Sequence, residues 1–178
     1  MGGPNHEQSI RRKKTRRSIR KFKPDMIPQD ILDRIIEAGT FAANGRGAQN
    51  TIIIQVTNKE IRDEIAKRNA DIMGSNTDPF YGAPVILIVL GKKDWPTHVY
   101  DGSLVIGNLM LAAHDLGIGS CWIHRAKEEF ETDFGKELLK SLGIEDEYEG
   151  IGHCILGYPE GDYPETPERK ENRVFTIQ

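Results

Sequence analysis

Apolar positions recur along the chain with two periods, and the switches between them outline the elements. Ile31, Leu32, Ile35, Ile36 and Phe41 repeat at helical spacing behind Pro28, a residue favoured in the first helical turn. A short polar helix over Gln8–Lys14 precedes them. Thr51–Val56 is β-branched and apolar and predicts a strand. Thr57-Asn58-Lys59-Glu60 has capping-box spacing and predicts an amphipathic helix to about Ala70. Residues 71–82, with Gly74, Asn76, Pro79 and Gly82, read as a loop. Pro84–Leu90 is the continuous apolar run expected of a strand buried on both faces. Leu104–Leu116 predicts an apolar helix, central to the fold or to a dimer interface; Gly117, Gly119 and Ser120 end it before Cys121-Trp122-Ile123. Lys127–Leu142 reads as one charged helix closed by Gly143, and Ile151–Tyr158 as a last strand. This order of elements predicts one sheet with helices, α/β or α+β. The polar, Pro-rich tail 159–178 ends on Val174, Phe175 and Ile177, a pattern expected of an arm docked on a partner subunit.

Composition adds bounds to that outline. With 178 residues, 38% apolar and 29% charged, the chain reads as a single globular domain over 1–178, loose over residues 1–7. Its longest apolar run, Ala83–Leu90, falls far short of the ~20 residues of a membrane span. With no secretory pattern and only Cys121 and Cys154, which form no CxxC, the expectation is a cytoplasmic protein with reduced thiols.

The charge is uneven. Residues 1–23 hold nine Lys or Arg against one acid, Glu7, so this segment carries +8 within a chain of net −3 and leaves −11 for the remainder. Such a block is either a solvated arm, as on nucleic acid, or arginines gathered around one phosphate. Ser18 inside the block, Ile19 and Phe22 as apolar anchors and Pro24 at its end favour the folded anion site. Phe22 is the block's one aromatic, too few for the stacking surfaces that single-stranded bases need.

Other chemistry finds little support. The five histidines are scattered with no metal-ligand spacing, and GxSxG, the P-loop and GxGxxG are absent. Cys121 and His124 are spaced for one turn but lack a third orienting group. What remains is a set of separated anion-binding features: the Arg16–Arg20 cluster, the Asn44–Gln49 loop, the Gly117–Arg125 turn and Arg169-Lys170. Together they suit a phosphorylated cofactor held at several points.

At these residues the sequence resembles the nitroreductase family of FMN-dependent NAD(P)H oxidoreductases. Arg16-Arg17-Ser18-Ile19-Arg20-Lys21-Phe22 is similar to its RRSxRxF opening, and Leu116–Ile123 to its LGLGSCWI segment after the long central helix. Gly157-Tyr158-Pro159 and the Arg169-Lys170 tail complete the ordered set. The resemblance implies a nitroreductase-like α+β fold, with a mixed or antiparallel sheet, and an intertwined homodimer that exchanges its C-terminal arms. It implies that Arg16 and Ser18, with Arg169 or Lys170, hold the FMN phosphate, that Arg17 lies adjacent, and that Arg20 lies at the flavin ring edge. Trp122, Ile123 and His124 would form the turn whose backbone faces flavin N5, and no side chain is expected to act as a dedicated acid or base. Asn44, Arg46 and Gln49 would reach the flavin from the other subunit. In that loop the family commonly reads PSxxNxQPW, whereas this chain keeps Gln49 but has Gly47 for the Asn and Asn50-Thr51 for Pro-Trp.

The implied activity is hydride transfer from NAD(P)H to FMN and on to a nitroaromatic, quinone or similar acceptor by a ping-pong scheme, without metal, nucleic acid or membrane. The alternatives are a relative specialised for an enone or halogenated aromatic, and a flavin-binding protein without turnover. Phe80, Tyr81, Trp95 and Tyr100 are candidate aromatics, either packing or lining the pocket, and residues 71–82 and 92–100 are its expected walls.

Overall fold

The computed structural model describes residues 6–178, so the loose start expected for 1–7 lies, over 1–5, outside the described residues; α1 (His6–Thr15) takes in His6 and Glu7. After α1 the order is α2 (Gln29–Thr40), β1 (Thr51–Val56), α3 (Lys59–Met73), β2 (Val85–Lys92), α4 (His98–Asp115), β3 (Gly119–Ile123), α5 (Ala126–Glu131), α6 (Asp133–Ser141) and β4 (Tyr148–Gly157). The four strands form one sheet in the order β1-β2-β4-β3, every neighbouring pair antiparallel.

The central strand explains the layering. Ile86, Ile88 and Leu90 of β2 point into one core with Ile65 of α3, Phe80 and Phe130 of α5. Val85, Leu87 and Val89 point into a second core with Leu32 and Ile35 of α2 and Val105, Ile106 and Leu109 of α4. All six β2 side chains are fully buried. An antiparallel sheet usually leaves one face wet and alternates apolar with polar; here helices cover both faces, so β2 is apolar at every position from Val85 to Leu90. Between Val89 and Leu90 the β2–β4 register slips, with Ile151 as the extra residue. Ile151 packs against Gly102 of α4, where a Cβ would meet it at 2.6 Å.

Three local expectations change. The α3 cap is Asn58, whose Oδ1 accepts from the Ile61 N–H at 2.9 Å, one position after Thr57; the helix continues to Met73 and ends on Gly74 at φ 70°. The charged helix over 127–142 is two helices. Thr132 breaks it at φ −75°, ψ 163°, accepting from the Gly135 N–H and donating to the Glu129 carbonyl at 2.6 Å. Finally, α4 starts at His98, six residues before the apolar run, and β4 starts at Tyr148.

Candidate functional site

The basic segment after α1 is a built part of the sheet edge. Ser18 bridges Ser120 in parallel, the Ile19 N–H donates to the Ser120 carbonyl at 2.9 Å, and Phe22 bridges Pro159. Ile19 and Phe22 are buried in the first core. Gly119 permits the approach, since a Cβ there would meet Ile19 and Pro159 at 3.0 Å. Arg16–Phe22 thus lies along β3 with its backbone fixed, and the side chains between the anchors project as a set.

Their environment separates two roles. The Arg17 guanidinium is committed to protein: it donates to the carbonyls of Lys14 (2.9 Å), Arg16 (2.5 Å) and Glu165 (3.2 Å) and to the Thr166 hydroxyl. Its backbone N–H donates to the Tyr163 hydroxyl at 3.0 Å. Arg16 is different, because its Nη1 is buried with no hydrogen-bond partner. A buried guanidinium N–H without a partner is costly and marks a place for an acceptor. Arg16, Arg17, Ser18 and Arg169, with Lys13 and Lys14, line a cleft of about 660 Å³. Lys170 is exposed on the tail and is not among the residues lining this cleft.

A second cleft of about 250 Å³ opens at the C-terminal end of β3, where Arg20 meets Trp122, Ile123, His124 and Arg125. Its opposite wall is the 71–82 segment, through Met73, Thr77, Asp78, Pro79 and Tyr81. Asp78 holds that wall in shape: its carboxylate accepts from the N–H groups of Phe80 and Gly82 at 2.8 Å and from Arg62 Nη2 at 2.5 Å. Arg62, itself buried, also donates from Nε to the Ala83 carbonyl at 3.0 Å. Of the candidate aromatics, Tyr81 lines this cleft, Phe80 is fully buried in the core, and Tyr100 lies exposed on α4. Cys121 belongs to β3, not to a turn with His124, and its side chain is buried in the core. Burial pushes the Cys154 thiol far above its ordinary range.

The third group stands elsewhere. Asn44 and Gln49 line a separate cleft of about 250 Å³ beside α2 and β1, and β1 is the sheet edge opposite β3. Three strand spacings put about 14 Å between the two edges. The loop ties itself down: the Asn44 carboxamide accepts from the Gln49 N–H at 2.9 Å, and Arg46 lies 5.9 Å over Trp95. Asp101, buried in α4, accepts from the Gly45 N–H at 3.0 Å and the Thr97 hydroxyl at 2.8 Å. Sequence reasoning missed Asp101, whose one signal is an acid beside an apolar helix run. It also missed Arg62, Asp78, Asn69 and Glu129, which sit in polar stretches that read as solvated.

The Nitroreductase family model matches residues 14–158. A protein of Archaeoglobus fulgidus, provisionally named NADH dehydrogenase/NAD(P)H nitroreductase, is 28% identical over 168 residues, which are 92% of this chain and 93% of that protein. One of the same provisional name from Methanothermobacter thermautotrophicus is 31% identical over 121 residues, 61% of this chain but only 56% of its own length. The crystal structure of a nitroreductase with bound FMN from Bacteroides fragilis superposes with a TM-score of 0.88 at 26% identity, covering 96% of this chain and 99% of that one. Since the family match takes in the Arg16–Phe22 edge segment, the β3 turn and all four strands, this chain belongs to the Nitroreductase family.

Proposed function

We propose that the chain is an FMN-dependent oxidoreductase that takes hydride from NAD(P)H and delivers it to a nitroaromatic, quinone or similar acceptor. The observation that carries this reading is the buried, unpartnered Nη1 of Arg16 inside a cleft lined by basic side chains. A flavin phosphate brings about two negative charges, and guanidinium groups meet such oxygens in pairs. The residues fit the group. Arg16 and Ser18 hold its phosphate with Arg169 from the tail, while Arg17, already committed, straps that tail in place. FMN supplies hydride acceptance and donation at its ring when bound.

Arg20 at the second cleft sets a positive charge near the pyrimidine edge, and the backbone of Ile123 and His124 lies beside the reacting side. Tyr81 on the facing wall gives a flat surface to an aromatic donor or acceptor, which use the same opening in turn. No step requires a protein acid or base; Cys121 is buried and the His124 ring has no assigned part.

The active unit is a homodimer in this reading. Asn44, Arg46 and Gln49 sit at the sheet edge opposite the phosphate cleft, so one protomer does not gather all the candidates. Phe41, Tyr100 and Leu104 present an apolar surface at 80%, 71% and 51% exposure. The tail splits in two: residues to Thr166 are held on the chain's own Arg17 and Lys21, whereas Val174, Phe175 and Ile177 are exposed and suit a partner's surface. No described helix is long and apolar enough to cross a membrane; a cytoplasmic location remains part of the proposal.

An anaerobic absorption spectrum of the purified protein, before and after NADH and NADPH, tests the reading. Flavin bands that bleach with either nucleotide, on a particle of twice the chain mass, are expected. Bands that persist would leave a flavin carrier, and a colourless protein that cannot be reconstituted with FMN would remove the proposal.

A further inference from the structure

Beneath the β3 turn, two buried side chains meet two consecutive carbonyls, and a third buried side chain stands behind one of them. Asn69 of α3, fully buried, donates from Nδ2 to the His124 carbonyl at 2.9 Å and accepts from Arg125 Nε at 2.9 Å. His153 of β4, also fully buried, places Nδ1 3.3 Å from the Ile123 carbonyl. Its Nε2 lies 2.6 Å from the carboxylate of Glu129 on α5, itself only 2% exposed. A carbonyl only accepts, so Nδ1 donates in that contact, and the close approach of Nε2 to the Glu129 carboxyl requires one further proton, held between the two groups. The His153 ring is held by Phe80, centroid to centroid at 5.1 Å.

Peptide planarity carries this order to the other side of the chain. In a trans peptide the carbonyl and the following N–H point in opposite directions, and the described residues contain no cis bond. With the Ile123 and His124 carbonyls drawn toward Asn69 and His153, the N–H groups of His124 and Arg125 turn the opposite way. Arg125 sits at φ 74°, a conformation that a non-glycine residue keeps only when its surroundings fix it. The desolvation cost of a buried carboxyl–imidazole pair can exceed what it returns in stability, so stability alone does not account for it.

We propose that Asn69 and the Glu129–His153 pair are positioning residues: they lock the two peptide planes of the turn so that its N–H groups address flavin N5. The inference rests on the FMN reading only for what the turn faces; that these side chains hold the turn is independent of it.

The experiment pairs amide hydrogen exchange over residues 119–126, with and without FMN, with stopped-flow reduction of the FMN-loaded protein. Asn69→Asp keeps the bond from Arg125 but sets a carboxylate against the His124 carbonyl. It should speed exchange of the two turn amides about tenfold and slow flavin reduction at saturating nucleotide about 10²-fold, the cost of a small misplacement, while FMN affinity changes far less. Glu129→Gln keeps the shape of the side chain and brings an NH2 that can donate to His153 Nε2 while Nδ1 stays protonated, so it should match the wild type in both readouts, whereas Glu129→Leu should not. If Asn69→Asp does not fold, Arg125→Gln, at the more accessible end of the same network, carries the same expectation. Wild-type reduction and unchanged protection in these variants would overturn the proposal. Were the wild-type protein to bind no FMN, the cofactor reading would fall, yet exchange in the unloaded variants would still decide whether these residues hold the turn.

Discussion

The Arg16–Phe22 segment and the Asn44–Gln49 loop lie at opposite edges of one sheet and are supported in opposite ways. The first is clamped along β3 by backbone bonds, anchored by two buried apolar side chains, and strapped by the tail. The second is held by side chains, Asn44 on the Gln49 N–H, Asp101 of α4 on the Gly45 N–H and Arg46 over Trp95, and two of its non-glycine residues, Arg46 and Gln49, sit at φ 56° and 52°. Left-handed backbone at such residues costs about 1–2 kcal/mol each. A segment that finishes its own site within one protomer can be rigid. In the homodimer proposed above, the loop serves a site across the interface and keeps strain that the single chain does not repay.

The largest effect is expected at the clamped edge. Arg16→Ala combined with Arg20→Ala removes the unpartnered guanidinium and the charge at the second cleft, while Ile19 and Phe22 still anchor the segment. Losing two charged hydrogen-bond donors, at about 1.5–3 kcal/mol each, should weaken FMN binding by about 10³-fold with the far-ultraviolet spectrum unchanged. A double variant that stays yellow at full occupancy would show that the phosphate site lies elsewhere.

Next in size is complementation between the two regions. If Asn44 and Gln49 serve the partner's flavin, Asn44→Ala with Gln49→Ala should lower FMN affinity by about tenfold, the loss of one net hydrogen bond at about 1.5 kcal/mol. Co-expressed with Arg16→Ala/Arg20→Ala, it should give hybrid dimers in which one of two sites regains both halves. Titration to half occupancy supports the crossed arrangement; two damaged sites per hybrid would place both regions in the same protomer's site.

These two regions also show what was legible. Arg16–Phe22 could be read because its two jobs use different residue types: apolar anchors fix the backbone and arginines face outward. Three of the four strands were legible for a similar reason, since β2 is apolar at each core position, whereas β3 lies within the stretch that read as the Gly117–Arg125 turn because its glycines looked like breakers. The division of the charged stretch at Thr132 was not, because acids on both sides continue a helical pattern while one hydroxyl and Gly135 permit the break. A Cβ at Gly135 would meet the Glu129 carbonyl at 2.5 Å, so that glycine sets how closely α6 follows α5. Glu129 lies in a run of acids that looks solvated, and only tertiary packing puts it beside His153. Arg17 and Arg16 likewise look equivalent in sequence; the tail's carbonyls, about 150 positions away, decide which one is free.

A smaller effect is expected from relieving the strain at Gln49. Gln49→Gly supplies a residue that tolerates φ 52° at no steric cost. Relief of about 1–2 kcal/mol, less up to about 1 kcal/mol of added backbone entropy in the unfolded chain, should stabilise the protein by about 0.5–1 kcal/mol in a urea melt. The same change should weaken FMN binding, because the side chain is lost. A gain in one and a loss in the other is the signature of a loop strained for a partner's site; loss of both would mean that Gln49 is held for packing alone.

The strap meets the body of the protein at His114. His114, in the last turn of α4, lies 2.9 Å from the Thr15 hydroxyl and 3.2 Å from that of Tyr163, on which it stacks. Burial, with Arg16, Arg12 and Arg17 nearby, holds its imidazole below the ordinary histidine range, and Asp115 offsets this only in part. A histidine whose folded value is lowered takes up its proton more readily when unfolded. Its neutral state therefore contributes stability above about pH 6.5, and that contribution declines as the pH falls from there toward the folded value, where it levels off. The tail is the element that loosens, since Tyr163 bonds both His114 and the Arg17 N–H. Protease cleavage after residue 160 should quicken between pH 7 and 5.5 in the wild type. In His114→Gln, which keeps a donor and an acceptor but cannot titrate in that range, the rate should stay level; an equal rise in both proteins would mean that another group releases the tail.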